Sequence, residues 1–532
     1  MQKSSIVSVE TQSKDIGWLL NRQWLLTNGR GGLASSTIGG CNTSRYHSLL
    51  TGSLNPPMNR IMALSSCLET IFFGGEVFNL STFEFDGNVH PEGFKYLKRF
   101  NQDIGVHFEY DLNGLSVTKS VYLVRDSDTI AVEYAFGKTD KQVELILRPF
   151  IGLRDFHGLQ KSYVRLQATV ESDSSLTVRH DMPESYELVL NCPLGSFEQD
   201  PQWWYNFLYR ADKERGQDFT EDLWSPGFFN CRMDSNAKIV LWADFKSGPA
   251  GAVNNFDIDV VREDLLKHQE MVTIGAKKDE NLCRLFLAGD QFISKRQMNS
   301  HFATTILAGY PWFADWGRDT FIALPGLLLS TGRHNEAGSV LTTFAQAARE
   351  GLIPNCFDDR NDTAHFNSVD ASLWFINAAF EYLEASGDTE TFTRELLPVI
   401  SWIVEYYQKG TRHGTKADKD GLITSGSRRT QLTWMDARCD GIAFTPRYGR
   451  AVEINALWFN SLCQLARFYA DSDEKLAELY HARADKVEES FRDIKRSGFR
   501  RRRRISDKKN LQAFRQKICR TENGRHPRRD NF

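Results

Sequence analysis

The sequence predicts a multidomain β + α protein, an N-terminal antiparallel β-sandwich followed by a region of stacked helical hairpins. Three observations carry this. From about residue 60 to 250 apolar side chains alternate with period two; past a Gly/Pro/Ala/Asn-rich stretch at 248–255 the spacing becomes i, i+3, i+4; and no strand-like run separates the helical segments that follow. At 532 residues the chain is long enough for roughly two to four domains with sizeable cores.

In the β-part, Val106, Phe108 and Tyr110 alternate with polar neighbours, Asn113-Gly114 offers the positive φ of a tight hairpin, and Leu115 and Val117 resume on the return strand. Ile130, Val132, Tyr134 and Phe136 repeat the pattern, and short strands are expected over 143–147, 163–170, 186–190 and 238–242. In the helical part, Ala371, Trp374, Phe375, Ala378, Ala379 and Tyr382 line one face of a helix expected over 367–386, with Gly387 as its stop. Similar runs end at Gly332, Gly351 and Gly410, and two more helices are expected from Ala451 to about Asp493, for seven or eight from about Asp279 onward. No fixed-period repeat is evident.

Formal net charge is −3, from 65 Lys/Arg and 68 Asp/Glu, which by itself points to no polyanionic partner. The average conceals a split. Residues 495–532 hold 15 Lys/Arg against 3 Asp/Glu, leaving 50 against 65, a net −15, in 1–494. Arg500 to Arg504 are consecutive arginines, and the few apolar residues around them build no wide face. The tail reads either as a nucleic-acid or nuclear-targeting arm or as an unstructured or aberrant terminus; the second is the expectation, so no nucleic-acid partner is expected.

The 12 Trp, 16 Tyr and 36 Phe supply the flat faces that a sugar-binding cleft needs and that any large core also uses. The nine cysteines are scattered, odd in number and free of C-x-x-C, which argues against a disulfide framework or a thiolate zinc site and for a reducing compartment. The N-terminus has no apolar leader-like run, and no uninterrupted apolar stretch approaches the ~18 residues of a membrane span, so a cytoplasmic location without a membrane partner is expected.

Three segments are dense in chemistry. Residues 308–321, AGYPWFADWGRDTF, bring together Trp312, Trp316, Asp315, Asp319 and Arg318 just before a helical stretch. Indole faces stack on sugar C–H surfaces while carboxylate and guanidinium hold vicinal hydroxyls. The same residues also read as a helix N-cap at Asp319, opening a helix over 320–329, with Trp in the core and an internal Arg–Asp pair. In the second segment, GLIPNCF leads to NSVDASLW, where Asn355 and Asp370 reach hydroxyls or serve as turn and cap. In the third, LTWMDA is followed by TPRYG and VEIN; Asp436, flanked by Trp434 and Met435, is expected in apolar surroundings that raise a carboxyl pKa, as a general acid requires, or else is a buried structural Asp.

Together the runs AGYPWFADWGRDTFIALPGLLL, GLIPN with NSVDASLWF, and LTWMDA with TPRYGRAVEINALWFN resemble the amylo-α-1,6-glucosidase domain of glycogen debranching enzymes. WLLTNGRGGLASSTIGGCNTSRYHSLL is similar to the N-terminal β-domain of the bacterial and archaeal members. The resemblance implies a β-sandwich over 1–255, a linker over 256–284, an (α/α)6 toroid over 285–494 that is incomplete, and a basic tail over 495–532. It implies hydrolysis of the α-1,6-linked glucose at a trimmed branch of glycogen or another branched α-glucan, with inversion and with no metal or organic cofactor. Asp436 would be the general acid. Trp312, Asp315, Trp316, Arg318 and Asp319 would line the glucose subsite, with Asn355, Asp370, Trp434 and Arg447 as further contacts. The family's general base lies beyond residue 490, where 495–532 has no matching context, so no base is assigned and a frame lost near Asp493 is expected. Two alternatives stand beside this reading: another inverting glycosidase of the same toroid, glucoamylase- or trehalase-like, and a glycan-binding remnant without catalysis.

Overall fold

A computed structural model describes residues 7–12, 14–181, 186–233, 238–246, 257–276, 279–298, 301–358 and 363–501, the last eight as backbone only. The stretch 248–255 and residues 502–532 of the basic tail lie outside the described residues. The chain divides into two compact units, Met1–Ile403 and Val404–Phe532.

Period-two sequence becomes period-two burial. In the strand Val106–Leu112 the side chains of Val106, Phe108, Tyr110 and Leu112 are buried and those between them are not. Asn113 and Gly114 take φ of +52° and +97°, the conformation of a two-residue turn, and set Leu112 opposite Leu115 and Val106 opposite Val121. This hairpin lies in a nine-stranded antiparallel sheet ordered Val7–Glu10, Leu97–Gln102, Val106–Leu112, Leu115–Leu123, Thr129–Phe136, Lys238–Lys246, Glu187–Asn191, Ser175–His180, Leu166–Ser172. The second sheet runs Ser196–Leu208, Thr220–Met233, Val143–Asp155, Met58–Phe73, Ser48–Asn55, Leu33–Thr37, Gln23–Thr27, with Glu76–Asn79 added beside Met58–Phe73.

One buried cluster joins Leu64, Ile71, Leu145, Leu147 and Phe229 of the second sheet to Val117, Val121, Val132, Leu188 and Leu241 of the first. A polar exception sits inside it. Glu69 is fully buried and pairs with Lys119 of the opposite sheet while accepting a 2.9 Å hydrogen bond from the Tyr134 hydroxyl. The expected strands over 143–147, 186–190 and 238–242 are present and longer. The one expected over 163–170 starts only at Leu166, because the Val164 N–H closes a turn onto the Lys161 carbonyl at 3.1 Å and leaves Tyr163 exposed. All eight described cysteines are free thiols.

Helices begin inside the stretch read as a linker, with Ile258–Val272 and Glu280–Asp290, whose first turns are capped by Asp257 and Asp279. Asp290 then joins four segments. It meets His268 at 2.6 Å, Arg333 at 2.6 Å and Arg125 of the sandwich at 3.7 Å. Burial pushes its carboxyl up, but the His268 hydrogen bond and the surrounding charges more than offset this and hold it below its ordinary range.

A strand pair interrupts the helical part, contrary to the sequence expectation: Ile293–Gln297 pairs with Phe302–Ile306. Its inward residues include Ser294 and Arg296, which erase the apolar alternation that would have announced it. The helices Gly317–Leu324, His334–Gln346 and Ala371–Ser386 follow, then a continuous helical rod from Thr389 to Lys409 that runs on past the end of the first unit. Gly387, at φ +68°, ends Ala371–Ser386 with its N–H on the Leu383 carbonyl, as expected, whereas the start lies at Ala371 with Asp370 as N-cap rather than at 367. The second unit contains Val452–Tyr469 and Glu474–Arg501. From Glu280 onward the described residues thus form seven rods.

The turn after strand Gln23–Thr27 gives a pH-dependent contact. Asn28 donates to the Ser127 carbonyl at 2.9 Å and to Asp128 at 2.7 Å, and Arg30 lies 3.6 Å from the same carboxylate. Burial raises Asp128 from its ordinary 3.8 to about 6, against the opposing pull of Arg30 and Asn28. The folded chain therefore keeps a proton that the unfolded chain has lost, and stability falls as pH rises between about 4 and 6. Asp128→Asn is expected to flatten this window, removing a slope worth roughly 1–3 kcal/mol in urea unfolding measured at pH 4, 5 and 6.

Candidate functional site

The loop 308–316 is held from below by the sandwich. Arg60, 1% exposed on strand Met58–Phe73, donates to the carbonyls of Pro311 at 2.8 Å and Phe313 at 3.2 Å, the two residues flanking Trp312. A second support comes from the strand pair. Lys295 and Gln297 donate their N–H groups to the carbonyls of Gly29 and Pro56 of the sandwich at 2.8 and 2.7 Å, and Arg296 between them reaches Asp315 at 2.7 Å. Thr305, from the partner strand, donates to the same Asp315 oxygen at 2.8 Å. Asp315 is fully buried and its other oxygen, Oδ1, has no partner among the described residues.

Beyond the loop, Gly317 starts a helix whose geometry only glycine permits. Its N–H bonds the Asn355 carbonyl at 2.7 Å, and a Cβ there would lie 2.3 Å from the Pro354 carbonyl oxygen. Asn355 is thereby fixed, 1% exposed, with Nδ2 on Asn367 at 3.2 Å and Oδ1 unpartnered among the described residues. Arg318 makes a two-pronged pair with Asp370, Nε to Oδ2 at 2.7 Å and Nη2 to Oδ1 at 2.9 Å, and Ser368 also donates to Asp370. This corrects the alternative local reading of the motif. The helix is capped at Trp316 rather than opened by Asp319, and Arg318 pairs across to Asp370 rather than within its own loop. Asp319 lies in the helix's first turn with its side chain exposed, where the positive helix end favours a carboxylate.

Trp312 and Trp316 are the loop's aromatic faces. Trp316 is half-buried, edge-on to Phe313 at 6.1 Å, whereas Trp312 is 36% exposed. Of the residues singled out from the sequence, the first unit therefore assembles Trp312, Asp315, Trp316, Arg318, Asp319, Asn355 and Asp370.

Trp434, Asp436 and Arg447 belong to the second unit. There Arg447 bonds Thr433 at 3.1 Å, pairs with Glu453 and lies 5.7 Å from the Trp434 ring centre. The loop is closed at its base by Ser425 and Gly449, which exchange both backbone hydrogen bonds at 3.0 and 2.7 Å. Asn455, from VEIN, accepts from the Ile423 N–H at 2.7 Å and donates to its carbonyl at 3.2 Å. Asp436 is exposed, as is Trp434 at 56%, so the expected apolar setting of this carboxylate is not met within its own unit. The cause is local: Asp440 and Gly441, both at positive φ, turn a short hairpin of Arg438–Cys439 with Ile442–Ala443 that carries the segment outward.

Sequence reasoning missed Arg296, Thr305, Ser368 and Arg60, the residues that hold the site residues. Ser368 stood within NSVDASLW. Arg60 and Arg296 carried no signal beyond an arginine in an apolar stretch.

Two family models match this chain: "Amylo-alpha-1,6-glucosidase" over residues 287–521 and "Glycogen debranching enzyme N terminal" over residues 22–240. Over these two segments the chain is similar to glycogen debranching enzymes. The first match continues past Lys495, into the segment in which the sequence reading found no family context. A glycogen debranching enzyme of Saccharomyces cerevisiae is 30% identical over 217 residues, covering 30% of this chain and 14% of its own. The chain thus spans about one-seventh of that relative's length. Among solved structures, a bacterial glucoamylase complexed with acarbose has 11% identity, covers 91% of this chain and 66% of its own, and gives a TM-score of 0.49. A protein named as a kojibiose phosphorylase from the human microbiome has 12% identity, covers 87% and 66%, and gives 0.48. No helix among the described residues is long and apolar enough to cross a membrane.

The two buried ion pairs are expected to be structural keystones of the site. Asp370→Ala removes the carboxylate that Arg318 grips with two N–H groups, and Asp315→Ala removes the one to which Arg296 and Thr305 both donate, each lowering stability by about 3 kcal/mol in urea unfolding. A loss below 1 kcal/mol for either would show that the pair is not buried in solution.

Proposed function

We propose that this chain acts as a glycoside hydrolase on branched α-glucan, removing the α-1,6-linked glucose left at a trimmed branch point of glycogen or limit dextrin. The observation that carries the reading is the loop 308–321. An exposed indole, an exposed carboxylate at Asp319, and two buried acceptors, Asp315 Oδ1 and Asn355 Oδ1, are gathered on a frame rigidified by the Arg318–Asp370 and Arg296–Asp315 pairs. Such a set suits a neutral polyhydroxylated ring, whose C–H faces stack on indole and whose hydroxyls supply donors to fixed acceptors. The names of both matching family models support the substrate class.

In this reading the helical part is an (α/α)6 toroid. Asp436 is the general acid that protonates the glycosidic oxygen, while Trp312, Asp315, Trp316, Arg318, Asp319, Asn355, Asp370, Trp434 and Arg447 bind sugar. The reaction inverts the anomeric centre, which requires a second carboxylate about 6.5–9.5 Å from the first to activate water on the opposite face.

The full chain is to be incubated with a limit dextrin whose branches are trimmed to a single α-1,6-linked glucose, linear maltose and trehalose, and free glucose and its anomeric form followed by NMR. Glucose from limit dextrin alone, released as the β-anomer, is the expected result. Asp436→Asn is expected to reduce turnover by about 10²–10⁴-fold with glucan binding nearly unchanged. Release from trehalose or maltose in preference would replace the reading by another glycosidase, and binding without release would leave a glycan-binding protein.

A further inference from the structure

The pose of Trp312 is set by the sandwich rather than by the helices around it. Arg60 grips the carbonyls on either side of it, and the ring itself lies against two side chains of sandwich loops: Tyr46, with ring centres 5.5 Å apart, and Arg215, whose guanidinium carbon lies 4.5 Å from the indole centre. Tyr46 is in turn fixed by its hydroxyl on His157 Nδ1 at 3.1 Å and by edge contacts to Phe156 and His157. Arg215 differs from its neighbours. Arg45 lies 3.6 Å from Asp212, Arg154 pairs with Glu221, and Arg210 pairs with Glu84 at 2.7 Å, but the guanidinium of Arg215 has no carboxylate or hydrogen-bond partner among the described residues and is exposed.

A guanidinium laid on an aromatic face keeps its N–H edge free and pre-oriented, so it loses little rotamer freedom when a ligand arrives. The guanidinium covers part of the indole and holds its fork of donors next to the ring surface that stays exposed, a combination that a sugar unit's C–H face and vicinal hydroxyls use.

We propose that Arg215, with Tyr46 and Trp312, forms an outer glucan subsite contributed by the sandwich, and that it is Arg215 that makes the chain prefer a polymeric branched glucan to a disaccharide. The inference rests on the α-glucan reading above and names a specificity residue for it. The sugar it takes is a unit of the chain beyond the linkage cleaved.

The test uses the full-length chain, with dissociation constants for limit dextrin and isomaltose taken from tryptophan fluorescence titrations. Arg215→Ala is expected to weaken limit-dextrin binding about tenfold more than isomaltose binding, and Arg215→Lys, which keeps the charge but not the fork, to recover only part of this. Thermal unfolding of both variants within about 2 °C of the parent chain is the folding control, expected because Arg215 is exposed. If the parent chain binds both ligands and Arg215→Ala shifts their ratio by less than twofold, the subsite is wrong and the functional reading stands. If the parent chain binds neither, both fall.

Discussion

A guanidinium buried in a protein needs acceptors for its N–H groups, and Arg60 directs Nη1 and Nη2 to carbonyls of a loop about 250 positions along the chain. The placing of the loop 308–316 depends on this grip and on the parallel one by which the Gly29 and Pro56 carbonyls hold the strand carrying Arg296. The loop 308–316 carries four aromatic rings and one carboxylate, the buried Asp315. Fastened to a sheet whose register is fixed by a large apolar core, it presents Trp312 outward and Asp315 inward without needing a substrate to arrange it. The sandwich is thus part of the site's construction, which gives a physical reason for the two segments to occur in one chain.

The β-part was legible because its burial is simple. One face of each strand is apolar, the Asn113-Gly114 turn has a composition that admits few other structures, and the Gly387 stop marks a helix end for the same reason. What escaped was whatever departs from apolar burial. The strand pair around Arg296 hides its period behind inward polar residues, and strand Met58–Phe73 is buried on both faces over much of its length, so it shows no alternation. Helix starts were misplaced by a few residues, at Ala371 and Gly317: Trp316 is extended and ends a loop, whereas Asp370 has a right-handed helical backbone and stands one position before the helix.

The candidate site shows the same division. Trp312, Asp315, Arg318, Asp319, Asn355 and Asp370 were identifiable by residue type and crowding, yet their pairings were not. Arg318 has two acidic neighbours in sequence and uses neither, because the helix beginning at Gly317 points its guanidinium toward the start of Ala371–Ser386. Asp436 shows the converse error. Flanking Trp434 and Met435 suggested an apolar pocket, whereas the following Asp440-Gly441 hairpin leaves the carboxylate in water within its own unit.

The side chain of Asn455 does for Ile423 what a neighbouring strand would do, matching one donor and one acceptor. The short strand Ile423–Thr424 therefore has no free edge on that side and needs no further sheet to hold it. With Ser425 and Gly449 clasped at its base and Arg447 pinned to Glu453, the intervening loop has both ends on the first turn of one helix. Its local opening and the fraying of that helix are then a single event rather than two, and the segment carrying Trp434 and Asp436 has the stability of the helix to which it is tied.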